Sequence, residues 1–342
     1  MANLKDINPL LLYTMTSGLG DYIVMGDLMR KIEGIIPTAR CLMAHRNNPH
    51  VTLWKYDNPL ERFFNVYNPL HFFRLVSKLK NVKRKGYTVF GLQMAPGSIQ
   101  GFFFLTFLKN LKAIDYIVDF NLINADIITP PIGNYILDLH LNQIKNLFKI
   151  RMPEEFYKLK LPIENGIDLK TKADNTHIRI GIHPWSRRGY LNCFTWTYEK
   201  WLEVILFLLK NGHEVIVFGH DKNLEDFKKF LLKENNLKTD RLNFVYSESV
   251  YKLIETISNI DLLISVNTAV AHIGYALDKK MIILSGPSLD LWVPKGNGIC
   301  NVTDEEAIYK SEDKWINDSR FASVNRIKTE QVIKALNSYG IF

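Results

Sequence analysis

The sequence is poor in cysteine. Cys41, Cys193 and Cys300 form no CxxC pair and are odd in number, which excludes a disulfide framework or a cysteine zinc site and fits a reducing cytoplasm. Also missing is a basic leader followed by an apolar core and a small-residue cleavage site, so no signal peptide is expected. Long apolar runs are absent too: the strongest, Gly101 to Leu108, is broken by Lys109, far short of the roughly 20 residues that span a bilayer. No carboxylate cluster suggests a metal site. There is no internal repeat or low-complexity tract.

What is present describes an ordered globular protein. With 342 residues, 47% hydrophobic, 12% aromatic and 23% charged, the chain suits two domains of ordinary size, each able to bury its own core. The net charge of +8 is uneven: residues 1–165 hold 20 Lys/Arg against 13 Asp/Glu, and residues 166–342 hold 23 against 22. Its densest part, Arg74 to Lys85, mixes Lys78, Lys80, Lys83, Arg84 and Lys85 with Phe72, Phe73 and Leu75. That mixture suits an anionic partner or a membrane surface, and equally a solvated helix face. It matches no nucleic-acid recognition motif, so no nucleic-acid partner is expected.

The pattern along the chain is α/β. An apolar strand at Pro9–Tyr13, a turn-forming Thr16–Asp21 and helical spacing over Tyr22–Ile32 open a Rossmann-like unit. Strand Tyr87–Gln93, the loop Ala95–Gly101 and helix Phe102–Leu111 continue it. The polar stretch Asn165–Thr176 reads as a linker, placing the domains at 1–165 and 166–342. Strands and helices then alternate again: strand His177–His183, helix Thr197–Asn211, strand Glu214–Phe218, helix Leu224–Lys233, strand Asn243–Val245. Helix Val250–Ser258, strand Asp261–Val266, helix Val270–Leu277 and strand Lys280–Leu284 complete a second doubly wound sheet.

The strand Asp261–Val266 runs into a helix through Asn267 and Thr268. The free N–H groups of residues 268–270 and the positive end of the helix dipole favour phosphate oxygens there. Alternatively, Asn267 or Thr268 is simply an N-cap. His272, one turn on, either reaches a diphosphate or is a buried structural histidine. Gly286, after the next strand, allows the backbone close to a ligand, with Ser288 beside it. The loop after His183 brings Ser186, Arg187 and Arg188 to the same sheet edge, and two arginines suit pyrophosphate. In the first domain, Gly18-Leu-Gly-Asp21 lacks the third glycine of a dinucleotide fingerprint, Ile23 standing in its place. Asp21 is either a general base toward an acceptor hydroxyl or the cap of its helix, and position alone does not choose.

Together these motifs resemble the ADP-heptose:lipopolysaccharide heptosyltransferase family, glycosyltransferase family 9. The family's opening strand and Gly-Asp loop are matched by Gly20-Asp21. Its Asp-Thr-Gly-x-x-His, alanine-rich helix and Gly-Pro-Thr are matched by Asn267 to His272, Ala276-Leu277 and Gly286-Pro-Ser288. Its donor loop is matched by His183-Pro184 and Trp196. The chain departs from the family at Asn267 for aspartate, Ala269 for glycine, Ser288 for threonine and Phe194 for lysine, with Arg187 or Arg188 able to replace that lysine as the diphosphate cation.

The resemblance implies the GT-B fold, two Rossmann-like doubly wound domains facing across a cleft. It also implies an inverting, metal-independent transfer of a sugar from a nucleotide-diphospho-sugar, ADP-linked in the family, to a saccharide or lipid-linked acceptor. Asp21 would be the catalytic base. The donor would be held by Ser186, Arg187, Arg188, Asn267, Thr268, Ala269, His272, Gly286 and Ser288, with Gly18, Gly20 and Ser98 on the acceptor side and no cofactor. Such an enzyme is expected in the cytoplasm, in peripheral contact with the inner face of the membrane. A sugar-nucleotide epimerase of the same fold and a noncatalytic nucleotide-binding protein are the alternatives.

Overall fold

The computed structural model describes residues 7–14, 18–45, 63–93, 99–120, 125–129, 131–133, 135–161, 178–186, 192–234, 237, 239–286, 292–305 and 323–340. The chain divides into two compact units, 1–162 and 163–342. The stretch read as a linker, Asn165–Thr176, lies outside the described residues.

The first unit runs β1 (Asn8–Thr14), α1 (Leu19–Ile35), β2 (Arg40–His45), β3 (Phe63–Asn65), α2 (Pro69–Arg84) and β4 (Tyr87–Gln93). It continues with α3 (Ile99–Asn110), β5 (Tyr116–Asp119), β6 (Ile127–Ile128) and α4 (Ile136–Phe148). The sheet order is β3-β2-β1-β4-β5-β6 and every pairing is parallel, the classic dinucleotide-domain order with its reversal between β1 and β4. Parallel strands covered on both faces need continuous apolar runs rather than alternation, and β1 shows one, Leu10-Leu-Leu-Tyr13, wholly buried. Leu75, Leu79, Leu105 and Leu108 of α2 and α3 pack with Leu10, Leu12, Leu42 and Val89 on one face. The start of α2 is fixed by Asn68, whose side chain accepts from the amides of Leu70 and His71, with Pro69 at the first position, where its missing N–H costs nothing.

Buried charge anchors the end of this unit. On α1, Lys31 and Asp27 form an ion pair with both side chains buried. Lys31 Nζ also donates to the Lys158 carbonyl (2.6 Å), and the Lys160 amide donates to Asp27 Oδ2 (3.0 Å). Burial pushes the Asp27 carboxyl up and the Lys31 ammonium down, while each partner pulls the other back toward its charged form.

The second unit runs β7 (Arg179–His183), α5 (Tyr198–Lys210), β8 (Glu214–Gly219), α6 (Asp221–Lys229), β9 (Leu242–Tyr246) and α7 (Val250–Ser258). Then come β10 (Leu262–Val266), α8 (Ala269–Ala276), β11 (Lys280–Ser285), β12 (Ile299–Thr303) and α9 (Thr329–Ser338). Its order, β12-β11-β10-β7-β8-β9, is again all parallel and repeats the first unit's order, with the reversal between β7 and β10. Ile180, Ile182, Ile264, Val266, Ile282 and Leu284 form one core with Trp201, Val204 and Leu208 of α5 and Leu336 of α9.

Within each sheet, neighbouring strands are clipped together at their amino ends by the same device. Asp115, Asp126 and Asp261 each precede a strand, and each bonds both backbone groups of one residue on the neighbouring strand. Their carboxylates accept from the amides of Val89 (2.8 Å), Ile117 (2.6 Å) and Arg179 (2.7 Å). Their own amides donate to the carbonyls of the same three residues.

Candidate active site

In such sheets ligands bind outside the carboxyl ends of the strands, beside the reversal of strand order. In the first unit that point lies where Thr14 of β1 stands opposite Gln93 of β4. Gly18 is the N-cap of α1, and its amide donates to Asp21 Oδ2 at 3.1 Å. The capping alternative for Asp21 is therefore realised. The bond also orients the carboxylate in the helix's first turn, where the dipole favours negative charge. Gly20 sits in the same turn. Ser98 lies outside the described residues.

Sequence reasoning missed two groups at this edge. Gln93 is fully buried with neither side-chain amide atom hydrogen-bonded among the described residues, and the Tyr13 hydroxyl is buried in the same state. A buried amide without partners costs on the order of 1–3 kcal/mol, and such groups merit an explanation. The available signal was a glutamine closing an otherwise apolar strand.

In the second unit three loops meet at the corresponding edge, after β7, β10 and β11. Leu262, Ile264 and Val266 point into the core under α5 and α9, so by alternation Leu263 and Ser265 face the other way. Ile283 and Ser285 of β11 do likewise. The helix on that face is α8: a Cβ on Gly274 would lie 2.7 Å from Leu263 Cδ2 and 2.6 Å from Met281 Sδ, so glycine there lets α8 settle onto the sheet. Ser265 and Ser285 thus lie under the helix that Thr268 begins. All three hydroxyl oxygens are shielded from solvent and have no hydrogen-bond partner among the described residues. Thr268 occupies the N-cap position with extended backbone, yet its side chain makes no cap bond. Asn267, half-buried, is held by its amide to the Leu284 carbonyl at 3.0 Å, and Ala269 opens the helix.

His272 is buried one turn along α8, its ring edge-on to Trp292 at 6.3 Å. Burial pushes its imidazole down to about 4, and burial does the same to His183 at the end of β7. His272 is therefore neutral at pH 7, a hydrogen-bonding ring and not a cation. A histidine whose folded value lies below its unfolded one stabilises the fold fully above about pH 6.5, and this is lost as pH falls toward 4. Between pH 7.5 and 4.5 His272 is expected to contribute a loss of about 2–3 kcal/mol. Urea unfolding at both pH values checks this, with His272→Gln showing the smaller drop.

The loop after β7 is held by Trp185. Its indole lies across Gly219 at the end of β8, where a Cβ would overlap the ring, and stands edge-on to Phe227 at 6.0 Å. This positions Ser186 at the edge. Arg187, Arg188 and Ser288 lie outside the described residues. Gly286 is buried, and the group that approaches it is the Cys193 carbonyl, which a Cβ would strike. Its close approach within the described structure is thus to the chain's own backbone. Trp196, matched to the donor loop by resemblance, is a core residue here: its Nε1 donates to the Ile327 carbonyl (2.9 Å) and its ring meets Trp201 at 5.0 Å. Among the described residues no group of three or more His, Cys, Asp or Glu is arranged to hold a metal ion.

Two units of the dinucleotide-domain order, each with candidate ligand groups at its carboxyl edge, are the two Rossmann-like domains of the GT-B fold. Residues 140–308, just under half of the chain, match glycosyltransferase family 9 (heptosyltransferase), so that stretch carries a glycosyltransferase domain resembling family 9. Among solved structures it is similar to the family 9 glycosyl transferase of Veillonella parvula (TM-score 0.67, 16% identity, 97% of each chain covered). It is also similar to Escherichia coli heptosyltransferase WaaC with ADP-2-deoxy-2-fluoro heptose (0.62, 13%, 96% of this chain and 99% of that one). A third is E. coli ADP-heptose lps heptosyltransferase II (0.57, 15%, 96% and 98%). At these identities the likeness is one of fold. No curated protein matches the chain in sequence.

Proposed function

We propose that the second unit binds a nucleotide-diphospho-sugar at the carboxyl edge of β7, β10 and β11, and that the first unit binds a saccharide or lipid-linked acceptor. The observation that carries the donor site is the set of three buried, unpartnered hydroxyls of Ser265, Thr268 and Ser285 around the start of α8. Phosphate oxygens are acceptors that hydroxyls and helix N-terminal amides satisfy directly. The heptosyltransferase structures named above, one solved with an ADP-heptose analogue, support an ADP-linked heptose as the first donor to test.

In the reaction the acceptor oxygen attacks the anomeric carbon and its proton passes to the Asp21 carboxylate. The bond from that carbon to the diphosphate breaks, its electron pair leaving with the nucleotide diphosphate, and the configuration inverts. Charge growing on the leaving group is met by the start of α8, by Thr268 and by Arg187 and Arg188. With these groups in place the transfer requires no metal, and activity is expected to persist in EDTA.

The test is calorimetric titration with ADP, UDP, GDP and CMP. One nucleoside diphosphate is expected to bind selectively, and Thr268→Val, which keeps the shape and removes the hydroxyl, is expected to weaken it about tenfold. Failure of all four to bind, or wild-type affinity in the variant, overturns the donor site.

A further inference from the structure

Gln93 closes β4 beside the reversal of strand order, wholly buried and with neither side-chain amide atom paired among the described residues. The strand register shows what stands around it. Leu10 and Leu12 of β1, Val89 of β4 and Ile117 of β5 lie in the core under α2 and α3, so by alternation Thr14, Gln93 and Asp119 end their strands on that same face. Gly91 marks the side independently: a Cβ there would lie 2.6 Å from Leu105 Cδ2 of α3. Thr14 is the register partner of Gln93 on β1, and Asp119 comes one step after the pair Leu92–Val118 that joins β4 to β5. Three polar side chains thus form one row across the carboxyl edge, in the unit whose α1 carries Asp21 in its first turn. Thr14 Oγ1 donates to the Leu92 carbonyl at 3.5 Å, and Asp119 Oδ1 accepts from the Phe120 amide at 2.7 Å.

We propose that Gln93 reads hydroxyl groups of the acceptor, and that the acceptor therefore presents a neutral sugar rather than an acidic one. The inference rests on the proposal above that the first unit holds the acceptor. A side-chain amide offers two N–H donors and a carbonyl acceptor. Adjacent hydroxyls of a sugar ring, each able to donate and accept, satisfy both ends of it. A carboxylate or phosphate only accepts. It would leave Gln93 Oε1 unpaired and set an anion beside the Asp119 carboxylate, an arrangement that like-charge repulsion disfavours. Holding a buried amide without a partner is unfavourable, and a site of that kind discriminates strongly for the hydroxyl that pairs with it.

Saturation-transfer NMR tests this with millimolar methyl glycosides of glucose, galactose and mannose and of the corresponding uronic acids. At least one neutral glycoside is expected to bind, with the uronic acid of the same configuration about tenfold weaker or more. Gln93→Leu, of similar volume, is expected to weaken the neutral glycoside about tenfold, with nucleoside diphosphate titrations unchanged. Its urea midpoint is expected to equal or exceed that of wild type, because an unpaired buried amide has been removed. Gln93→Met repeats the measurement should the leucine variant misfold. A lower midpoint with sugar binding intact means that Gln93 serves the fold alone and overturns the proposal. Tighter binding of a uronic acid than of its neutral counterpart overturns the neutral class and leaves the acceptor domain standing. Silence of every glycoside, neutral and acidic, while a nucleoside diphosphate binds, overturns the acceptor domain and this inference with it.

Discussion

Asp21→Asn is expected to lower kcat for sugar transfer by about 10²–10⁴-fold, the usual contribution of a positioned acid or base, with donor affinity and the unfolding midpoint nearly unchanged. The reasoning turns on the bond from the Gly18 amide to Asp21 Oδ2. An asparagine at this position keeps an oxygen that can accept that bond, so the helix start survives, but it cannot take a proton from an acceptor hydroxyl. Alanine removes both functions and would confound a stability loss of about 1 kcal/mol with a catalytic one. An Asp21→Asn enzyme of normal turnover, measured alongside its thermal unfolding, would reduce Asp21 to a cap and sink the assignment of the base.

Removal of half the buried pair on α1 is expected to have the largest effect on stability. Asp27→Ala leaves Lys31 buried with only the Lys158 carbonyl from its described contacts, and leaves the Lys160 amide without its acceptor. Breaking such a pair costs on the order of 3–5 kcal/mol. Replacing both residues with apolar ones, Asp27→Leu with Lys31→Met, is expected to recover most of that loss, since neither desolvated charge remains. Denaturant midpoints of the three proteins decide the matter. A double variant no more stable than Asp27→Ala would mean that the Lys160 amide bond, rather than the ion pair, holds the segment.

The parts of the fold legible from the sequence were those whose apolar runs are long or cleanly bounded. Strand Tyr87–Gln93 and helix Val250–Ser258 agree with the structure to the residue, and β7, β8, β10 and β11 agree within two. The edge strands Phe63–Asn65 and Ile127–Ile128 are too short to carry a period. They exist because a neighbouring strand supplies their hydrogen bonds. The helix Ile136–Phe148 begins without a side-chain cap, so no turn residue marks its start in the sequence. At the candidate site, Thr268 and Asp21 were visible because strand-to-helix junctions announce themselves through turn residues. Ser265, Ser285 and Gln93 were not, since a small polar residue inside an apolar run looks like an ordinary strand position until register shows which face it occupies. A motif match carries no information about which way a ring points or whose backbone comes near, which is why the core position of Trp196 and the Cys193 carbonyl beside Gly286 emerge only from the structure.

The three aspartate clips hold the strands' amino ends, while the candidate ligand groups gather at the opposite ends. This separation lets the two tasks drift independently over evolutionary time. Asn267 and Ala269, where the chain departs from the family pattern, lie at the carboxyl ends and touch none of the fastenings. Fastenings at one end and variable loops at the other are compatible with a likeness of fold that persists at 13–16% identity.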